Sequence, residues 1–353
     1  MFAIVAEKYQ YVVGVDTHAQ KHVATIVNNH GAVLATREIR VTSPQMNGFI
    51  AWIRKVTDNT ENVLLAVEGT SSYGETLTKL ALASGLAVTE VKPPKTKARG
   101  GDGKTDRIDS ELAALGILRL PVDKLITPRY GTARKSLRIL LGARRSIVRQ
   151  QTADKNSLTA LLRGCDIGID ARRALKPEHY QVISLWQKTR AGDDQEQAIA
   201  RYEAKRLAVG ILKSKTVLDQ NETHLGALVH SLAPGLLDTP GVGPMTAAQV
   251  ICSYSHKGRV RSAAAFAALA GTTPIPASSG NVTRHRLNRF GDRALNNALH
   301  TVVLTRIRSD DTTKAYVEKR TAAGQSVREI RRSLKRYIAR SLYKQLETYD
   351  IRG

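Results

Sequence analysis

Apolar and polar positions in the first 120 residues alternate between strand and helix patterns. Tyr11–His18 is rich in β-branched residues and carries Val-Gly-Val before an acid; Lys21–Asn28 follows a tight turn. Val33–Val41 follows a second turn at Asn29-His30-Gly31. Three strands this closely linked predict an antiparallel meander. From Ser43-Pro44 the spacing becomes helical, with Met46, Phe49, Ile50 and Ile53 on one face. Asn62–Val67 is almost continuously apolar, as a buried strand is. Tyr73–Ser84 predicts a helix stopped by Gly85, and Ala87–Val91 a fifth strand closed by Pro93-Pro94. A glycine-rich basic stretch, Lys95 to Lys104, then leads into a helix over Thr105–Leu120. The order β-β-β-α-β-α-β-α is that of the ribonuclease-H-like fold, in which the first and fourth strands are neighbours.

Beyond residue 125 the pattern is helical, so the fold class is α/β followed by α. Leu137, Leu140, Leu141, Ile147 and Val148 form a stripe that Leu158, Leu161 and Leu162 resume, which predicts a coiled-coil arm. Gly164–Pro177 breaks it, and Asp193–His230 is helical again. A compact unit follows: a helix after Pro244, the Ala263–Ala270 run, and a Gly/Ser/Pro-rich loop from Gly271 to Gly280. The tail from Gly324 to Leu346 is an amphipathic basic helix with Ile330, Leu334, Ile338 and Leu342 on one face.

Charge changes this picture most. The 353 residues carry a formal net charge of +23 with a pI near 10.2, which points to a polyanionic partner. Residues 1–125 hold 15 Lys/Arg and 13 Asp/Glu; the other 39 and 18 lie beyond. A front that needs carboxylates and a back that grips phosphate would produce this asymmetry. Aromatics are only 5% of the chain, which argues against recognition mainly by base stacking. Two cysteines exclude a disulfide framework and a zinc site built on cysteine. No apolar run reaches membrane-span length, and the start lacks signal-peptide order. The expectation is a soluble cytoplasmic, nucleoid-associated protein.

Four acids carry the candidate chemistry. Asp16 ends the first strand within Val-Gly-Val-Asp, and Glu68 ends the fourth within Ala-Val-Glu-Gly-Thr. Neighbouring strands would bring the two together. Asp106 and Asp109, three apart at a helix start, can share a face. Carboxylates converging on one spot repel unless divalent cations sit between them, and hard oxygen donors suit Mg²⁺ or Mn²⁺. Two such ions can clamp both oxygens of a phosphodiester exchange. Each acid alone has a blander reading: Asp106 as a helix N-cap, Glu68 as a strand-end ion pair, Asp16 as the phosphate-binding acid of actin-like kinases. Those kinases usually follow the Asp with glycine, whereas Thr17-His18 follow here.

A second chemistry lies in Ala277-Ser278-Ser279-Gly280, ahead of Arg284, Arg286, Arg289 and Arg293. A serine beside glycine can approach a phosphate closely, and attack would store the phosphodiester energy in a phosphoserine link. From spacing alone it is an ordinary Ser-Gly turn. Gly241-Val242-Gly243-Pro244 has the form of a helix-hairpin-helix turn whose amides can hold a phosphate, or equally of a plain connection between helices. Lys95, Lys97, Arg99 and Lys104 form either a strand-holding loop or a solvated one.

Taken in order, these motifs resemble the IS-one-ten family of insertion-sequence transposases, the bridge-RNA-guided DEDD recombinases. The front resembles their RuvC-like domain through Val-Gly-Val-Asp16, Ala-Val-Glu68-Gly-Thr and Lys104-Thr-Asp106-Arg-Ile-Asp109. The back resembles their transposase domain through Thr239-Pro-Gly-Val-Gly-Pro, the Ala-Gly271-Thr-Thr-Pro loop, Ser279-Gly280 and Phe290-Gly-Asp-Arg-Ala-Leu. The resemblance implies a RuvC-like catalytic domain over 1–125, a helical arm over 126–230 and a serine-bearing transposase domain over 231–353. It implies that Asp16, Glu68, Asp106 and Asp109 bind Mg²⁺, with Mn²⁺ as a substitute. Ser279, with Ser278 beside it as the alternative, would attack DNA. Donor and target DNA, a structured guide RNA and a dimer or tetramer of the chain are the implied partners. The alternatives are a RuvC-like Holliday-junction endonuclease using metal-activated water and a non-catalytic nucleic-acid-binding protein.

Overall fold

A computed structural model describes residues 3–93, 105–129, 131–187, 189–276, 288 and 291–351, with 285–286 in backbone only. Close contacts divide the chain into two compact units, Met1–Thr132 and Ala133–Gly353.

The first unit opens on a single helical turn, α1 (Val5–Lys8), and then forms the meander: β1 (Tyr11–Thr17), β2 (Lys21–Asn28) and β3 (Val33–Arg40). After α2 (Ser43–Val56) come β4 (Val63–Glu68), α3 (Glu75–Ala83), β5 (Ala87–Val91) and α4 (Asp106–Leu118). The five strands make one sheet in the order β3-β2-β1-β4-β5 among the described residues. β1 is antiparallel to β2 and parallel to β4, so the first and fourth strands are neighbours, as the element order predicts.

Strand alternation sorts the two faces. Val13, Val15, Leu65 and Val67 point to the side covered by Phe49 and Ile53 of α2 and Leu77 of α3. Val12, Leu64 and Ala66 point the other way, against Ala114, Ile117 and Leu118 of α4. Burial on both faces explains why β1 and β4 read as nearly unbroken apolar runs. The α3 helix starts later than Tyr73 because residues 69–74 are spent in turns, with Gly69 at φ +58°.

The second unit contains two long helices, α5 (Thr132–Gly164) and α7 (Gln195–Leu232), with the short α6 (Pro177–Ser184) between them. Side chain to backbone hydrogen bonds staple the long pair antiparallel. Asn221 Nδ2 donates to Leu140 O at 3.1 Å, Arg144 Nη1 to Leu218 O at 3.0 Å, and Gln151 Nε2 to Ile211 O at 3.3 Å. The apolar stripe on α5 divides between two cores. Leu158 and Leu162 pack with Ile183, Leu207 and Ile211, whereas Leu137 and Leu141 join a core shared with the C-terminal helices. The residues expected as an arm and those expected as a transposase domain thus lie in one compact unit.

That C-terminal part comprises α8 (Pro244–Tyr254), α9 (Ala263–Leu269), a hairpin of β6 (Ile275–Pro276) and β7 (His285–Arg286), then α10 (Arg293–Ser309), α11 (Asp311–Ala322) and α12 (Val327–Leu346). On α12, Ile330, Leu334, Ile338 and Leu342 are buried, the face that the tail's period predicts. Ser326 and Glu329 close a capping box at its start. Among the described residues no helix is long and apolar enough to cross a membrane.

Candidate metal centre

Asp16 shares its face of β1 with Val12 and Gly14, the face on which α4 lies. Gly14 is what lets α4 lie there. A Cβ on Gly14 would fall 2.0 Å from Ser110 O and 2.6 Å from Ala114 N, inside the helix backbone. A hydrogen bond between the Thr25 and Ser110 hydroxyls, 2.8 Å long and buried, ties the same helix to β2. The glycine of Val-Gly-Val-Asp therefore sets how closely the start of α4 approaches the end of β1. Replacing Gly14 by Ala is expected to cost about 3 kcal/mol or more, because backbone rather than a flexible side chain must give way. Urea unfolding measures this, and an unchanged midpoint would contradict the packing argument.

The start of α4 is fixed by Thr105, whose hydroxyl accepts the Ile108 N–H at 3.3 Å. Thr105, not Asp106, is the N-cap, and Asp106 and Asp109 lie in the first helical turn. Asp16 and Asp109 are both buried, at 5% and 4% exposure. Burial pushes the Asp16 carboxyl above its usual range; nearby His18 opposes this, and the charges of Asp106 and Asp109 add to the rise. An acid held in this way favours a cation beside it.

His18 sits between two of the acids. Its Nε2 lies 3.2 Å from Asp16 Oδ2 and 3.4 Å from Asp106 Oδ1. Lys21 Nζ lies 3.9 Å from Asp106 Oδ2 and 2.8 Å from Glu38. One donor atom from each of Asp16, His18 and Asp106 falls within 4.8 Å of the others, so these three could hold a metal ion. Two hard carboxylates and an imidazole, with a third acid buried close by, fit a divalent cation.

Glu68 ends β4. The parallel register pairs Val15 with Val67, which places Glu68 on the strand beside Asp16 and on the face of Leu64 and Ala66. Thr17 Oγ1 donates to the Glu68 carbonyl at 3.0 Å, joining the two strand ends. Glu68 and Asp109 are not in the three-residue donor set. His18 belongs to it, although sequence reasoning used that residue only to set aside the kinases. The signal was its position two residues after Asp16, on the same face of an extended chain.

In the second unit, Gly241 has φ +76° and packs against α10, where a Cβ would meet Val302 O at 3.0 Å. The Val242 amide donates to Thr239 O and the Gly243 amide to Thr246 Oγ1, and Pro244 has no N–H, so these amides are already engaged. Arg293 is the first residue of α10. Lys95, Lys97, Arg99, Lys104, Ser278, Ser279, Arg284 and Arg289 lie outside the described residues, and Arg286 is described in backbone only.

A mixed sheet with acids gathered where β1 meets α4, followed by a mostly helical remainder, is consistent with a DEDD, ribonuclease-H-like fold. Comparison with known families agrees: a DEDD transposase model of the IS110 type matches residues 13–166. A second model, described as transposase IS116/IS110/IS902 family, matches residues 233–318. The chain belongs to the IS110 family of transposases. No curated protein matches it. A transposase acts on DNA, by cleavage and strand transfer, and the excess of basic residues beyond residue 125 suits that partner.

Proposed function

We propose that the protein is a DNA recombinase that excises and inserts its own mobile element through a serine-linked intermediate, directed by a structured RNA. The observation that carries the reading is the convergence of Asp16, His18 and Asp106 in a chain of this family. Asp16, Glu68, Asp106 and Asp109 hold the divalent ions, with His18 as a further donor. When bound, the ions supply charge stabilisation at the scissile phosphate and its leaving oxygen. Ser279 Oγ bonds to the phosphorus as the phosphorus–oxygen bond to the DNA strand breaks. The serine proton passes to a base, and the departing DNA oxygen takes up a proton. Because one phosphoester replaces another, the strand can be rejoined without an added energy source. Lys95, Lys97, Arg99, Lys104, Arg284, Arg286 and Arg289 supply positive charge for the phosphates of the strand. The chain works as a dimer or tetramer.

An imidazole donor favours a transition ion over Mg²⁺. Mn²⁺ is therefore expected to bind the metal-free protein about tenfold more tightly than Mg²⁺, and His18→Ala to narrow that gap. Calorimetric titration reads both; equal affinities for the two ions would remove His18 from the donor set.

The guided-recombinase reading is tested with protein isolated together with its co-purifying nucleic acid. A discrete structured RNA is expected, and ribonuclease treatment should end site-specific cleavage of DNA carrying the element's ends. Cleavage that survives complete RNA removal would overturn the guidance, and no RNA at all would do the same.

A further inference from the structure

The second unit holds a cleft of about 1030 Å³ between α5, α8, α10 and α12. Its cationic lining comes from three separate elements: Arg145 and Arg149 on α5, Arg293 on α10 and Lys335 on α12. Arg144 also lines it, but that side chain is paired with Glu222 at 3.1 Å. Among the described lining residues the one carboxylate is Asp292, and it is already committed. Its oxygens accept the Ala294 and Leu295 N–H groups at 2.9 and 3.0 Å and the Ser253 hydroxyl at 2.6 Å. Lys335 Nζ meets a neutral partner, Asn296 Oδ1, at 3.1 Å. Burial and the charge of Arg332 hold Lys335 below its usual range, and burial with Lys335 and Arg331 does the same to His300, which lines the cleft too. Arg145, Arg149, Arg293 and Lys335 against the single carboxylate of Asp292 leave an excess of positive charge here among the described lining residues, the reverse of the acid cluster where β1 meets α4.

The cleft also has a defined relation to the segment that carries Ser279. Ala270, Gly271, Gly291 and Asp292 form part of its lining. Here the chain leaves α9 and returns to α10: the Asp292 amide donates to Leu269 O at 2.7 Å. A Cβ on Gly291 would fall 2.5 Å from that same carbonyl, so the two ends are pinched together at the cleft's edge.

We propose that this cleft binds the phosphodiester backbone of a DNA strand and lays it along the base of the Ser279 segment. Cations on three elements suit successive phosphates rather than one anion, and the volume is at the upper end of the roughly 300–1,000 Å³ that encloses a small molecule. Neutral amides of Gln249 and Asn297 lie among the same walls and can meet sugar or base edges. The choice of DNA over RNA rests on the recombinase reading, since the strand to be cut must pass the serine; the charge of the cleft does not.

The test is fluorescence anisotropy of a labelled single-stranded oligodeoxynucleotide with the full-length protein, freed of co-purified nucleic acid, across a salt series. Arg145 and Arg149 are exposed on α5, so the double variant Arg145→Gln/Arg149→Gln leaves the core intact. Arg173→Gln/Lys176→Gln removes the same charge from exposed positions outside the cleft. The cleft pair is expected to weaken binding by about tenfold and to flatten the log K against log salt slope by about 1.4, two phosphate contacts for a single strand. The control pair should change neither appreciably, and Lys335→Gln should add to the cleft effect. Equal behaviour of the two pairs would overturn the proposal, as would a loss confined to an RNA oligonucleotide of the same sequence. Binding is read without cleavage. If wild type forms no protein-linked DNA yet the cleft pair still loses affinity, the serine chemistry fails and the cleft stands. If linked DNA forms and the cleft pair binds normally, the cleft fails alone.

Discussion

Asp16→Asn is expected to lower DNA cleavage by about 10³-fold while making the metal-free protein more heat-stable at neutral pH. The two effects have one cause. The Asp16 carboxyl is raised by burial and by Asp106 and Asp109, so the folded chain takes up a proton there more readily than the unfolded chain does. The stability this gives is fully present below the unfolded carboxylate value and is lost as pH rises through the raised folded one. At neutral pH the ionised acid is a cost, which a bound cation relieves and an amide never incurs. In chelator, wild-type melting temperature should therefore fall from acid toward neutral pH more steeply than that of Asp16→Asn, and added divalent ion should restore only the wild type. Metal affinity should weaken as pH is lowered through the same raised value, because protons then compete for Asp16. Retained cleavage by the variant would remove Asp16 from the chemistry and favour a protein that only binds nucleic acid.

Ser279→Ala is expected to abolish recombination between paired donor and target plasmids, with Ser278→Ala keeping most of it. The hydroxyl that forms the covalent bond to phosphorus cannot be replaced by a methyl group, whereas its neighbour takes no part in that bond. Loss with Ser278→Ala and not with Ser279→Ala would move the nucleophile by one residue. Unchanged strand cleavage with both alanines would leave water as the attacking group, the chemistry of a junction-cutting nuclease.

The sheet was legible because its signals are local. The β-branched runs of β1 and β2, the closed turn at Asn29-His30-Gly31 between β2 and β3, and the apolar run of β4 mark the strands, and strand order then makes Asp16 and Glu68 neighbours. Gly14 reads in sequence only as a small residue; its reason, the backbone of α4 against β1, is a tertiary fact. His18 escaped notice because a histidine just past a strand has many ordinary roles, and only the folding of Asp106 onto β1 gives it two acidic neighbours. The apolar stripe of α5 has one period but serves two cores, a division that depends on where α6 and α7 return. The basic cleft was legible only at Arg293, in the basic stretch after Ser279; Arg149 and Lys335 lie far from it in the chain, and each looks like solvated charge alone.

The central claim is that acids near the start of the chain and a hydroxyl near residue 280 serve one DNA phosphodiester. Peptide mapping by mass spectrometry, after denaturing the protein during reaction on element-end DNA, tests it most directly. A nucleotide-bearing peptide containing Ser279 should form with Mg²⁺ or Mn²⁺, and should be missing both in chelator and in Asp16→Asn. Cut DNA with no protein-linked nucleotide, or a linked peptide that forms equally well without the ion and without Asp16, would contradict it.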